Sequence, residues 1–399
     1  MRVLLLTYGS RGDVEPMAAL AARLRTLGVD VRVCAPPDEE FARLLAGVGV
    51  SVVPFGPEVR ALVTGPTTRH RSPRIAAELV AAHFTTVAGA AEGCDALVAS
   101  GLLPAGARSV AELLGIRYRY VCHQVFALPS PHYPPPERPG APFPPDADRR
   151  AQWETDALRV NALYGAALAE HRAAAGLPPV DNVRDHVFGD RPWLAADPTP
   201  APWRELPYAD VVQTGPWILP DRRPLPAALE AFLDAGEPPV YVGFGSMPMR
   251  NAPDAARDAV LAVRARGRRV VVHRGWASLS PGDTGDDCFV LDEVNQQALF
   301  RRVAAVVHHG GAGTTTAAAR AGAPQVVVPQ FVDQPYWAAR VAALGIGAAH
   351  DGPVPTAVSL SAALATALAP DTRTRAVSLA GSIRTDGTAV AARLLDALD

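Results

Sequence analysis

Residues 306–335, VVHHGGAGTTTAAARAGAPQVVVPQFVDQP, carry the reading of the fold. A short β-branched run ends at Val307, the chain turns on Gly310, Gly311 and Gly313, and a helix is expected from about Thr314 to Gly322 and Pro324. Strand, glycine-rich turn and helix in that order offer bare backbone N–H groups and a positive helix terminus to an anion. The apolar run PQVVVPQ then delivers Asp333 and Gln334 to the same rim of a parallel sheet, a carboxylate and an amide suited to sugar hydroxyls. A dinucleotide fingerprint GxGxxG is not met, because Thr316 stands where a small residue is required and the motif belongs on the first βα turn. A diphosphate remains a good fit.

Outward from this stretch, strand and helix patterns alternate. PPVYVGFGS, RRVVVHRG, CFVLDEV and AAVVHHG read as strands; DAARDAVLAVRARG, NQQALFRRV and YWAARVAALG read as helices. The turn after YVGFGS brings Ser246 to the same rim as a hydroxyl donor for phosphate. The N-terminal half repeats the scheme: RVLLLT, DVRVCAP, VSVVPF, DALVAS and RYRYVCH as strands, with PMAALAARLRTLG, EEFARLLAGVG and AGARSVAELLG as helices. Met17, Leu20, Ala21, Leu24 and Leu27 recur at helical spacing, and Gly28 suits a C-cap. LPSPHYPPPERPGAPFPP must be loop, a helix is expected over about 148–175, and a second proline-rich passage over 197–226 holds the linker. The expectation is therefore an α/β protein of two doubly wound, Rossmann-like domains, with ligands bound outside the carboxyl ends of the strands.

Composition narrows the chemistry. A chain of 399 residues, 49% hydrophobic and 20% charged, sustains two folded cores. With 38 basic against 40 acidic residues it has no electrostatic footprint for nucleic acid or an anionic membrane. Every basic residue is Arg, so a Schiff-base lysine and a P-loop lysine are both excluded. Cys34, Cys94, Cys122 and Cys288 never form CxxC, which signals neither a zinc site nor a disulfide framework. The N-terminal apolar run is too short for a signal peptide and no run is long enough for a membrane span, so a cytoplasmic location is expected.

HHGGAGTT followed by VVVPQFVDQP, with YVGFGSMP upstream and GSRGDVEP at residues 9–16, resembles the family 1 nucleotide-sugar glycosyltransferases of GT-B fold, within them the actinobacterial branch that glycosylates glycopeptide antibiotics. The resemblance runs from Met1 to the end and implies two Rossmann-like domains facing each other across a cleft. Its boundaries would be an acceptor-binding domain at 1–205, a linker at 206–226, a nucleotide-sugar-binding domain at 227–382, and a helix at 383–399 returning to the first domain. It implies that His309 contacts the donor diphosphate, with Gly311, Gly313 and Thr314 beside it, Ser246 on a phosphate, and Asp333 and Gln334 on the sugar. Trp276, Val290 and Asn295 would lie near base and ribose, and Ser10, Arg11 and Gly12 near the phosphates or sugar. Where many members carry a Glu for the ribose, this chain has Ala317. The donor, dTDP- or UDP-linked, would be a co-substrate, with no resident cofactor and no metal; the DAD at residues 146–148 lies in a proline-rich loop. The acceptor would be a hydrophobic natural product, and the protein a monomer or weak dimer.

The resemblance further implies that the loop after the first strand supplies the general base of an inverting transfer, and that this residue is Asp13. Plainer readings stand beside these. Asp13 would equally serve a helix expected to begin near Pro16, or pair with Arg11. His308 and His309 would cap a strand end, Asp333 would form a turn, and Trp276 would be core. Phe126, His123, Gln124 and Tyr133 are candidates to line the acceptor site. A sterol-type or polyketide glucosyltransferase, a nucleotide-sugar epimerase of the same fold and a non-catalytic helper protein are the alternatives.

Overall fold

The strand Arg2–Tyr8 (β1) is buried at every residue from Val3 to Tyr8, as a central parallel strand covered by helices on both faces must be. This computed structural model describes residues 1–64, 73–136, 138, 143, 147–206, 209–249, 252–282 and 285–397. It divides into two units: residues 1–198, 202–219 and 384–399 form the first, residues 199–201 and 220–383 the second.

In the first unit β1 is followed by α1 (Arg11–Thr26), β2 (Asp30–Ala35), α2 (Glu39–Gly47), β3 (Val52–Pro54), α3 (Val59–Thr64), α4 (Pro73–Ala82), α5 (Ala88–Ala91), β4 (Ala96–Gly101), α6 (Ala107–Leu114), β5 (Arg117–Cys122), α7 (Arg149–Ala174), α8 (Val183–Phe188), β6 (Trp193–Leu194) and β7 (Val212–Gln213). A π-helical turn, His83–Val87, joins α4 to α5. The sheet order is β3-β2-β1-β4-β5-β6-β7 with parallel neighbours throughout. The order reverses between β1 and β4, so the loop after β1 flanks the switch point where open α/β sheets bind ligands.

α1 differs from expectation at both ends. It begins at Arg11 rather than near Pro16, because the Ser10 carbonyl already accepts from the Asp13 and Val14 N–H groups. Pro16 lies inside the helix, where its ring nitrogen cannot bond the Gly12 carbonyl one turn back. At the other end Leu27 is the C-cap and more than half exposed, not part of the apolar stripe. Gly28, at φ +78, then lets the Val29 N–H reach the Leu24 carbonyl and closes the helix.

The second unit comprises α9 (Ala227–Asp234), β8 (Val240–Gly243), α10 (Ala255–Arg264), β9 (Val270–His273), β10 (Cys288–Leu291), α11 (Gln296–Leu299), β11 (Ala305–His308), α12 (Ala312–Arg320), β12 (Gln325–Val327), α13 (Gln334–Ala343), β13 (Gly347–Ala349), α14 (Ala357–Ala367) and α15 (Pro370–Ala380). Its strands are all parallel in the order β10-β9-β8-β11-β12-β13. Alternate strand residues feed two cores. Val240, Val242, Val270, Val272 and Val307 pack with α10 and α14 on one face; Tyr241, Val271 and Val306 pack with Leu299, Phe300 and Ala318 on the other. The order reverses between β8 and β11, and the turns after these two strands carry Ser246 and His309. The last helix, α16 (Gly387–Asp396), belongs to the first unit and packs on α1. No described helix is long and apolar enough to cross a membrane.

Candidate functional site

The glycine turn after β11 is organised by His308. Its Nδ1 accepts from the Gly310 N–H at 3.1 Å, so its proton sits on Nε2, which donates to Gln325 Oε1 at 2.9 Å. Gln325 in turn donates to the Thr315 carbonyl at 3.3 Å. His308 is completely buried, and burial pushes its pKa down to about 4. It is a structural pin for the turn.

His309 is different. Its ring lies between two backbones: a Cβ on Gly311 would stand 2.6 Å from Nε2, and one on Gly245 would stand 3.1 Å from Cε1. Its Nδ1 is buried with no hydrogen-bond partner, an arrangement that costs stability unless a ligand supplies the bond. Burial first, and then the neighbouring His308, lowers its pKa to about 3, so the ring is neutral near pH 7. Beside it Gly311 is the N-cap of α12, and no side chain caps that helix. Thr315 turns its hydroxyl back to the Gly311 carbonyl at 2.9 Å. The leading N–H groups of α12, through Gly313 and Thr314, have no intrahelical acceptor, an arrangement able to hold an anion.

The turn after β8 completes one wall. Gly245, at φ +55, makes a bend that a side chain would strain, and Ser246 follows it half-buried. The Gly245 carbonyl accepts from the Trp276 N–H at 2.9 Å, with Gly275 so close that a Cβ there would come within 2.5 Å of that oxygen. Trp276 is half-buried at the same rim. Val290 on β10 packs partly buried against the core. Asn295 is committed elsewhere: it caps α11 through the Ala298 N–H and donates to the Asp221 and Arg223 carbonyls. Ala317 packs partly buried on the second core face.

Asp333 and Gln334 open α13 but behave unlike one another. The Gln334 amide is buried, accepting from the Gln330 N–H at 2.7 Å and the Phe331 N–H at 3.3 Å and donating to Met247 Sδ. Its side chain holds the loop, whereas an outward amide for a sugar was expected. Asp333 is half-exposed and accepts from Trp337 Nε1 at 2.9 Å. Val332 before it takes φ +59, costly for a β-branched residue. The other described non-glycine residues with positive φ, Met249 and Ser278, also lie on connections that follow strands of this sheet. Strain collects along this rim, as it does where a structure is pre-organised for a ligand.

In the first unit Asp13 stands in the first turn of α1, beside the positive helix end. Its carboxylate lies over Gly9, where any Cβ would collide with it. Arg11 Nε donates to Glu15 at 2.8 Å, so this guanidinium is engaged along its own helix; Gly12 is exposed and Ser10, the N-cap, makes no side-chain cap bond. His123 is buried, bonded through Nε2 to Ser100 at 3.1 Å, with its pKa lowered to about 4 by burial. Phe126 is buried too, Gln124 is half-buried, and the Tyr133 hydroxyl donates to the Pro202 carbonyl. Asp148 caps α7 by accepting from the Ala151 N–H at 2.7 Å; Asp146 and much of the proline-rich loop lie outside the described residues. Gln325, Met247 and Trp337 escaped the sequence reading. Only Trp337 left a signal, its helical i, i+4 spacing from Asp333.

A family model described as "Erythromycin biosynthesis protein CIII-like, C-terminal domain" matches residues 280–390. Vancomycin aglycone glucosyltransferase of Amycolatopsis orientalis is 57% identical over 99% of this chain and 97% of its own. dTDP-epi-vancosaminyltransferase of the same organism is 53% identical over 95% of this chain and 93% of its own. Among solved structures, the glycosyltransferase VinC in complex with dTDP superposes with a TM-score of 0.69 over 99% of both chains at 21% identity, a likeness of fold. Two doubly wound parallel sheets and identity above 50% over nearly the whole chain lead to one assignment: the chain belongs to the family 1 nucleotide-sugar glycosyltransferases of GT-B fold.

Proposed function

We propose that the chain moves a sugar, with inversion, from a dTDP- or UDP-linked donor to a hydroxyl of a glycopeptide-antibiotic aglycone. The observation that carries the acceptor class is the 57% identity, across nearly the whole chain, to a vancomycin aglycone glucosyltransferase. Relatives at this identity are transferases, which favours transfer over the epimerase and helper readings.

On this reading the donor diphosphate rests on the N-terminus of α12. Backbone N–H groups from Gly311 to Thr314 and the His309 imidazole take up the negative charge that builds on the phosphate oxygen as its bond to the anomeric carbon breaks. Since His309 is neutral, it contributes a directed hydrogen bond. Ser246 adds a hydroxyl donor, Asp333 holds sugar hydroxyls, and Trp276 and Val290 flank the base; Gln334 acts by fixing the loop. Asp13 accepts the proton of the acceptor hydroxyl while that oxygen bonds to the anomeric carbon. A phenol, with a pKa of about 10, gives up that proton far more readily than an aliphatic alcohol, so phenolic acceptors suit a carboxylate base. Charge stabilisation by α12 and His309 requires no metal, and turnover is expected to persist in excess EDTA.

The test is incubation with UDP- and dTDP-sugars and a panel of glycopeptide, macrolide, aromatic and sterol aglycones, read by mass. A hexose mass increment on a glycopeptide aglycone is expected. Increments confined to sterols or macrolides, or epimerised donor with no acceptor product, would overturn the proposal.

A further inference from the structure

The geometry points to Trp337 as the positioning residue that aims the Asp333 carboxylate at the donor sugar and thereby sets sugar selectivity. This rests on the reading of Asp333 as the sugar-binding residue.

Asp333 is the N-cap of α13. An Asp in that place ordinarily turns its carboxylate onto the N–H of the second or third helical residue; here the second is Pro335, which has no N–H, so the Tyr336 N–H is the donor a capping carboxylate would take. Here it makes no such bond. One turn further on, the Trp337 indole N–H donates to Asp333 Oδ2 at 2.9 Å and draws the carboxylate away from its own helix end. The backbone cooperates: Asp333 sits at φ −86, ψ −15, helical rather than the extended form of a capping residue.

Trp337 is well placed for this task. It is almost wholly buried, and its ring meets Tyr336 edge-on at 5.2 Å, so the indole cannot swing away. A buried indole N–H needs an acceptor, and Asp333 supplies it. α13 is itself tied down, since Arg340 donates to the Pro200 carbonyl at 2.9 Å and the Thr199 carbonyl at 3.2 Å. Gln334 pins the preceding loop from the other side. The carboxylate is thus held by a rigid frame, as recognition of a particular hydroxyl requires.

Orientation has a consequence for specificity. A fixed carboxylate rejects a sugar that lacks the hydroxyl it binds, because its charge would then lose a partner it cannot replace. A carboxylate released from Trp337 can fall back onto the Tyr336 N–H of its own helix, and the penalty for a deoxygenated sugar shrinks.

The experiment measures kcat and KM with dTDP-glucose and with its 3-deoxy and 4-deoxy analogues, and the Kd of dTDP by calorimetry, for wild type, Trp337→Phe, Asp333→Asn and the double variant. Trp337→Phe keeps the ring and removes the N–H. It should raise the KM for dTDP-glucose about tenfold, the loss of one charge-assisted hydrogen bond. It should also compress the preference for dTDP-glucose over a deoxy analogue, leave dTDP affinity intact, and add nothing to Asp333→Asn. Trp337 replaced by 3-benzothienylalanine, which exchanges the N–H for sulfur at the same shape, gives the same readings should the Phe variant fold poorly. Wild-type KM and selectivity in Trp337→Phe, beside a defect in Asp333→Asn, would overturn the positioning role alone; so would a loss of dTDP affinity parallel to that of the donor, which marks mere packing. An Asp333→Asn variant with unchanged donor KM would remove the sugar-binding reading itself.

Discussion

The His309 imidazole and Gly311 touch so closely that a methyl group on the glycine would lie 2.6 Å from the ring nitrogen Nε2. Gly245, from a turn far away in sequence, lies against the same ring at Cε1, where a Cβ would stand 3.1 Å away. The glycines of this site therefore do two jobs. They leave backbone N–H groups bare at the start of α12, and they leave room for the Nε2–Cε1 edge of the His309 ring.

Gly311→Ala isolates the second job, because φ −62 at this position accepts alanine without backbone strain. The added methyl must displace His309. Affinity for dTDP is expected to fall at least tenfold by calorimetry, with a stability loss of about 1–3 kcal/mol from overpacking. Gly313→Ala, where a Cβ meets nothing within 4 Å, should instead raise the melting temperature, as alanine outranks glycine within a helix by about 0.5–1 kcal/mol.

Gln325→Leu tests the pin beneath the turn. It strands the His308 Nε2–H, a buried donor, and frees the Thr315 carbonyl. Leaving such a group unpaired costs about 1–3 kcal/mol. A lower melting temperature and weaker dTDP binding are expected together, although Gln325 would touch no ligand; an unchanged melting temperature would show that the network is dispensable.

Acid should unfold this protein through its histidines. His83, His123, His186 and His308 have pKa values near 4 and His309 near 3, in each case chiefly from burial. Unfolded, each titrates near 6.5, so the unfolded chain binds more protons between the two values. The stabilisation is complete above about pH 6.5 and drains away as pH falls toward 4. Melting temperatures measured from pH 8 to 4.5 should be flat at first and then drop steeply. A flat profile to pH 4.5 would contradict the buried, neutral state of these rings.

How much of this was legible depended on whether the signal was local. β11, the glycine turn, α12 and β12 follow one another in a single stretch, and their periodicity and glycines suffice to read them. Two-residue β6 and the strand Gly347–Ala349 carry too little β-branched pattern to be read, and exist because neighbouring strands pair with them. Residues 54–74 carry the glycines and prolines of a long connection, yet α3 occupies Val59–Thr64 and α4 begins at Pro73, where packing supplies what pattern lacks. Pro16 in sequence marks the first turn of a helix, which places the start of α1 too late; the Ser10 carbonyl already accepts from the Asp13 and Val14 N–H groups, and the helix begins at Arg11. Within the site, the glycine walls of His309 and the inward turn of Gln334 depend on contacts between distant segments. No motif records them.

Asp13→Asn tests the account most directly, because it removes the charge and preserves the shape. The Thr7 hydroxyl holds the Asp13 carbonyl at 3.1 Å, an anchor that this change leaves alone. Transfer to a phenolic glycopeptide aglycone and the Kd of the nucleotide-sugar donor are measured on the same preparation. With Asp13 as the base, turnover falls at least a thousandfold while donor Kd stays within about twofold of wild type. Near-normal turnover in that variant would contradict it.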